Sequence, residues 1–94
     1  MFSITVDDQG IVVLSGRLDA AQTDRAREVL AALEDSAVVD FKDLDYISSA
    51  GLGVLLATQQ RLKKGGKAIK LVHMNRMVRD VFKIARFDLI FEIE

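Results

Sequence analysis

Apolar and polar residues alternate from the first positions of the chain, with Phe2, Ile4 and Val6 separated by Ser3 and Thr5. This is the period of a half-buried strand. Asp7-Asp8-Gln9-Gly10 carries turn chemistry, and the continuous run Ile11-Val12-Val13-Leu14 predicts a second, more deeply buried strand. So short a connection makes the two an antiparallel hairpin. Asp19 followed by Gln22 has the spacing of a capping box. Beyond it Ala26, Val29, Leu30 and Leu33 fall on one face of a helix.

Ala37 to Phe41 is short and apolar and predicts a third strand, whereas Lys42-Asp43-Leu44-Asp45-Tyr46-Ile47 follows neither period and reads as a loop. A second helix starts at Ser48 or Ser49 and runs to about Lys64, where Gly65-Gly66 stops it. Its first half is apolar nearly all round, which makes it the most buried helix expected. Residues 67–73 predict a fourth strand with Ile69, Leu71 and His73 on one face. Asn75 is placed to cap a third helix with the stripe Met77, Val78, Val81, Phe82 and Ala85, and Leu89 to Ile93 predicts a last strand. The order is β-β-α-β-α-β-α-β. Strands joined through helices run parallel by right-handed crossovers, so the leading hairpin makes the sheet mixed.

Composition narrows the class. The chain has 94 residues, enough for one domain, and half are hydrophobic, enough for one core. It has no cysteine, so disulfides, thiolate metal sites and cysteine nucleophiles drop out. Met1 to Thr5 lacks the basic and apolar regions of a signal peptide, and no apolar run approaches membrane-spanning length. A soluble, cytoplasmic protein is expected, without membrane association.

Net charge is −1, but residues 1–47 carry ten acidic against four basic side chains and residues 48–94 carry nine basic against four acidic. Two readings stand: an oriented charge dipole for docking, or halves that interleave on folding and cancel. Arg76, Arg79, Lys83 and Arg86 line the third helix without an aromatic stacking set. That describes a solvated face rather than a nucleic-acid surface.

The chemistry concentrates between Tyr46 and Gly53. Gly51 and Gly53 both sit in the first turn of the second helix, where each costs about 1 kcal/mol relative to alanine. Either something approaches this backbone closely, or a neighbouring strand packs tightly against it, or the helix start frays. Ser48 and Ser49 precede them, and a cap needs only one hydroxyl. A phosphate on the spare serine would meet unpaired N–H groups and the positive end of the helix dipole. It would add a charge of about −1.5 to −2 without disturbing the fold.

The run Val39-Asp40-Phe41-Lys42-Asp43-Leu44-Asp45-Tyr46-Ile47-Ser48-Ser49-Ala50-Gly51-Leu52-Gly53-Val54-Leu55-Leu56 resembles the signature of the STAS domain, in particular of the bacterial anti-sigma-factor antagonists. The likeness continues in Leu14-Ser15-Gly16-Arg17-Leu18-Asp19, in Gly66 to Leu71 and in Val81 to Phe87, and so covers essentially the whole chain. It implies a single STAS domain over residues 1–94, with no catalysis and no cofactor. It also implies binding to an anti-sigma factor that is a serine kinase, release on phosphorylation of Ser49, and resetting by a PP2C-type serine phosphatase. Ser48 is the second choice as acceptor. The docking surface implied comprises Asp19, Asp43, Asp45, Tyr46, Ile47, Ser48, Ala50, Gly51, Leu52 and Gly53. Two positions depart from the family's common pattern. Ser48 stands where many antagonists have aspartate, and Ala50 where many have serine or threonine. Members of the family often carry a further helix after the last strand.

The remaining candidates read as structural. Asp43 and Asp45 lack the ligand count of a dedicated cation site, and Asp19 reads as a helix cap. His73, the one histidine, reads as a packed or hydrogen-bonded structural residue at a strand end. No P-loop or Gly-x-Ser-x-Gly elbow is present. Two other functions stay in view: a STAS subunit held permanently in a transporter or sensory assembly, and a small phosphocarrier using His73.

Overall fold

The computed structural model describes residues 1–94. Its strands are β1 (Phe2–Val6), β2 (Val12–Leu18), β3 (Ala37–Ile47), β4 (Ile69–Val72) and β5 (Glu92–Ile93). Its helices are α1 (Thr23–Ala31), α2 (Ser49–Lys63) and α3 (Arg76–Ile84), with 3-10 turns at Ala20–Gln22 and Phe87–Leu89. The strands lie side by side in chain order; β1 is antiparallel to β2 and every later pair is parallel. The expected mixed sheet and element order are both present.

Each crossover steps to the next strand in the same direction. With the right-handed sense of such units, all three helices stack on one face of the sheet. That face supplies the core: Val12, Leu14 and Leu18 from β2, Val39, Phe41, Leu44 and Ile47 from β3, and Ile69 and Leu71 from β4 are buried. Ser15, Arg17, Asp40, Tyr46 and Lys70 alternate with them toward the other side, and none of these is buried. Phe82 carries α3 onto the sheet, meeting Phe41 and Phe91 edge to face at 5.9 and 5.8 Å between ring centres. No helix is long and apolar enough to cross a membrane.

Several expectations from the pattern are corrected. Lys42 to Ile47 is strand, not loop, and β3 runs for 11 residues. Its register against β2 shifts twice, Val13 and Ser15 facing Asp40 and Asp43, then Gly16 and Arg17 facing Leu44 and Tyr46. Each shift inserts an extra residue in β3, so its buried positions fall at unequal intervals and the period of two disappears. β2 likewise continues past Leu14 to Leu18. Gly16 does not break it, because its positive φ of 86° fits a kink against the Met1 carbonyl where a Cβ would collide.

Asp19 caps the 3-10 turn through Ala21 N, and Gln22 returns no side-chain bond, so the capping box is half built. His73 lies outside β4 with φ 61°, its side chain exposed and 3.1 Å from Asp40 Oδ1. Met77 is 64 % exposed, on the shoulder of α3 beside the buried Val78 and Phe82. Leu89 and Ile90 do not belong to the last strand, which is Glu92–Ile93 alone.

Candidate functional site

The site is built where β2 and β3 end and α2 begins. Leu18 and Ile47 are paired at the last rung of the parallel ladder, and the next amide, Ser48 N, donates to Leu18 O at 2.9 Å. This bond turns the chain off the sheet and sets the direction of α2. Ser48 is the N-cap: its backbone is extended and its hydroxyl accepts from Gly51 N at 3.2 Å. Its carbonyl receives the first helical bond, from Leu52 N at 3.0 Å. Ser48 is therefore committed to the fold.

Ser49 is the first residue of the helix and is exposed, and its hydroxyl makes no hydrogen bond within the chain. No acidic residue lies in this first turn. An anion on Ser49 would meet helix N–H groups and no neighbouring carboxylate of α2.

The two glycines serve different ends. A Cβ on Gly51 would lie 2.9 Å from Ile47 Cγ1 and from Leu18 Cγ, and 3.1 Å from Leu18 O. Gly51 is small because the helix start is pressed onto the ends of β2 and β3, which is the packing reading. A Cβ on Gly53 would meet nothing within 4 Å, and the residue is exposed. Its lack of a side chain has no explanation inside the domain.

The ten residues expected at the docking surface divide by burial. Ile47 and Leu52 point into the core at 3 % and 6 % exposure, and Gly51 is buried beneath Leu18. Ile47 closes the inward row of β3, and Leu52 lies on the sheet-facing side of α2. Asp43, Asp45, Ser49, Ala50 and Gly53 are exposed, and Asp19, Tyr46 and Ser48 are half-buried. These eight share one rim at the carboxyl ends of the parallel strands, the usual location of sites on open α/β sheets. Asp19 Oδ1 is occupied as a cap at 3.1 Å from Ala21 N.

Arg17 joins this rim and was not among the candidates. It faces Tyr46 across the ladder, with its guanidinium carbon 4.3 Å from the centre of the Tyr46 ring. The available signal was the alternation of Arg17 with Leu18, which lies beyond the end of the apolar run Ile11 to Leu14. His73 has Asp40 as its polar partner and makes no hydrogen bond to any of these residues. No group of three His, Cys, Asp or Glu side chains is arranged to hold a metal ion. The surface depressions avoid residues 41–53, and the largest lies at the other end of the strands, between Gln9–Ile11 and the starts of β3 and β4. The rim presents side chains rather than a depression.

Comparison with known proteins agrees with this architecture. A family model described as "Mlab, STAS domain" matches residues 4–92. A protein of Bordetella bronchiseptica provisionally named an anti-sigma factor antagonist, BtrV, is 35 % identical over 92 residues, covering 94 % of this chain and 79 % of its own. An anti-sigma factor antagonist from Mycobacterium paratuberculosis superposes with a TM-score of 0.83 at 20 % identity, over 99 % of this chain and 83 % of that one. SpoIIAA from Bacillus, solved in its phosphorylated form, superposes at 0.70 with 19 % identity, over 100 % and 91 % of the two chains.

Proposed function

The chain belongs to the STAS domain family, and from that premise we propose that it is an anti-sigma factor antagonist. In this reading it binds an anti-sigma serine kinase through the rim at the start of α2 and is released when Ser49 is phosphorylated. The observation that carries it is the division of labour between the serines: Ser48 is bonded to Gly51 N, while the Ser49 hydroxyl is exposed and unbonded. The name of the Bordetella relative and the existence of a phosphorylated SpoIIAA of the same fold support it.

The chemistry is a phosphoryl transfer. Ser49 Oγ attacks the γ-phosphorus of ATP held by the kinase, the new Oγ–P bond forms as the bond to ADP breaks, and the hydroxyl proton passes to a base of the kinase. This chain supplies only the nucleophile. The product dianion sits at the positive end of α2, so the fold tolerates it while the charge of the rim changes by about −2. A PP2C-type serine phosphatase removes it and restores binding. Action in the cytoplasm, where ATP-dependent kinases work, belongs to the same reading.

Incubation with the cognate anti-sigma kinase and ATP, followed by mapping by mass spectrometry, tests it. Label on Ser49 is expected; label elsewhere, or none, overturns the reading. Phosphoserine survives an acid wash and phosphohistidine does not, so loss of label in acid points instead to a phosphocarrier using His73. Stable co-purification with transport proteins, and no labelling, points to a permanent STAS subunit.

A further inference from the structure

A trough runs between α1 and α2, floored by Ala31, Val54, Ala57 and Thr58 and walled by Arg27 and Arg61. Its volume is about 150 Å³, room for one large apolar side chain. The floor offers no free hydroxyl, because that of Thr58 donates to Val54 O at 2.9 Å. The two walls differ in charge balance. Arg27 is already paired, its Nη1 lying 2.9 Å from Asp24 Oδ1. Arg61 has no carboxylate partner. Its Nη2 donates to Leu30 O at 3.0 Å, near the end of α1, which fixes the guanidinium at the trough with its other donors unused.

This side of α2 leads back to the candidate site. Ala50, Val54, Ala57 and Arg61 follow one another at helical spacing and form one ridge, with Gly53 beside it. Between Ser49 and Arg61 nothing on that ridge is larger than valine.

We propose that the trough seats a helix of the anti-sigma kinase, which places an apolar side chain between α1 and α2 and a carboxylate on Arg61. The proposal rests on the reading of Ser49 as the kinase's target. Continuity and charge decide the occupant. A partner that grips the start of α2 meets the trough from Val54 onward, and a guanidinium without a counter-charge suits a carboxylate, which it binds through two parallel N–H donors. A groove between two helices accepts a third, and the side chains at the contact set how near its axis comes. The low ridge permits a close approach, and Gly53 gains a purpose that the domain itself does not supply. Ser49 and Arg61 are twelve residues apart, about 18 Å along the helix and about two Debye lengths in physiological salt. A phosphate therefore acts at one end of this interface while Arg61 anchors the other.

The test measures affinity for the kinase that labels Ser49. Ala57→Gln fills the trough from an exposed helix position, breaks no side-chain hydrogen bond, and is expected to weaken binding at least tenfold with little change in the urea midpoint. Arg61→Glu is expected to weaken it as much, by a factor that shrinks in high salt. Arg61→Lys, which keeps the charge without the fork, is expected to lose less. In the double variant of Ser49→Asp with Arg61→Glu the two fold-losses are expected to multiply. The chain has no cysteine, so a benzophenone attached at Ala57→Cys reports what covers the trough, and a cross-link to an acidic helix of the kinase is expected. Wild-type affinity in Ala57→Gln or Arg61→Glu, or a cross-link between two copies of this chain, overturns the proposal and leaves the labelling of Ser49 standing. Absence of that labelling in the wild type overturns the reading beneath it.

Discussion

Leu18 closes over Gly51 so tightly that a β-carbon there would stand 2.9 Å from its Cγ and 3.1 Å from its carbonyl oxygen. Gly53, two residues on, faces open space. Gly51→Ala is therefore expected to lower stability by about 1–3 kcal/mol through overpacking, even after its gain in helix propensity. Gly53→Ala is expected to raise stability by up to about 1 kcal/mol. Urea denaturation of the two variants decides the contrast. If a partner's backbone seats at Gly53, the same alanine also weakens kinase binding.

The two serines separate in the same assay. Ser48→Ala removes the oxygen that accepts from Gly51 N and is expected to cost about 1 kcal/mol, while Ser48→Asp keeps the cap and costs little. Ser49→Ala touches no bond within the chain and is expected to stay within about 0.5 kcal/mol of the wild type. Equal losses at both positions would show that the cap is shared.

Binding reverses that ranking. Ser49→Asp places a carboxylate where the phosphate would sit and is expected to weaken kinase binding at least tenfold, about 1.4 kcal/mol. Calorimetric titration measures it. An unchanged affinity removes the electrostatic part of the proposed function.

Gln59 is the buried polar link between α2, the start of β4 and the segment leading into β5. Its Oε1 accepts from Ile69 N at 2.9 Å and its Nε2 donates to Ile90 O at 3.2 Å. Gln59→Leu orphans both backbone groups and is expected to destabilise by about 2 kcal/mol or more. Gln59→Glu retains an acceptor for Ile69 N, and a smaller loss is expected from it.

At the start of β3, Lys67 Nζ lies 2.9 Å from Asp35 Oδ1, and its hydrogen bond holds the Asp35 carboxyl below its ordinary range. A carboxylate lowered in the folded state adds stability above the unfolded pKa, about 3.9, and loses it as pH falls through the folded value. Lys67→Gln is thus expected to be less stable than the wild type near neutral pH. The difference should shrink as pH falls below about 4, and with added salt, because the pair is exposed. A difference that persists at pH about 2 assigns the effect to something other than this ion pair.

Much of the fold was legible because its signals are local. Asn75 caps α3 by accepting from Val78 N at 2.8 Å, and Gly66 ends the α2 region with φ 75°; both follow from residue chemistry alone. What escaped depends on neighbours. The outer half of β3 has no period of its own, because two bulges against β2 set its register. The exposure of Met77 depends on which side of α3 meets the sheet. At the site, the sequence left open which serine is the cap and what the glycines are for. Ser48 is the cap because Leu18 O fixes where the chain leaves the sheet, and Gly51 is constrained by the same residue. Arg17 escaped because its meaning lies across the ladder, in Tyr46.

The unequal lengths of the strands have a mechanical consequence. β4 pairs with β3 only from Ala37 to Asp40, whereas β2 follows it to Ile47. Past Asp40 the far edge of β3 is tied by the Asn75 side chain, which donates to Leu44 O at 3.0 Å. The rim therefore stands on a cantilever: a beam clamped on both sides at its root and on one side along its span. Moving its tip requires loosening the β2 ladder and the single Asn75 bond, with no β4 ladder to break. The doubly clamped root opens only when the whole domain does.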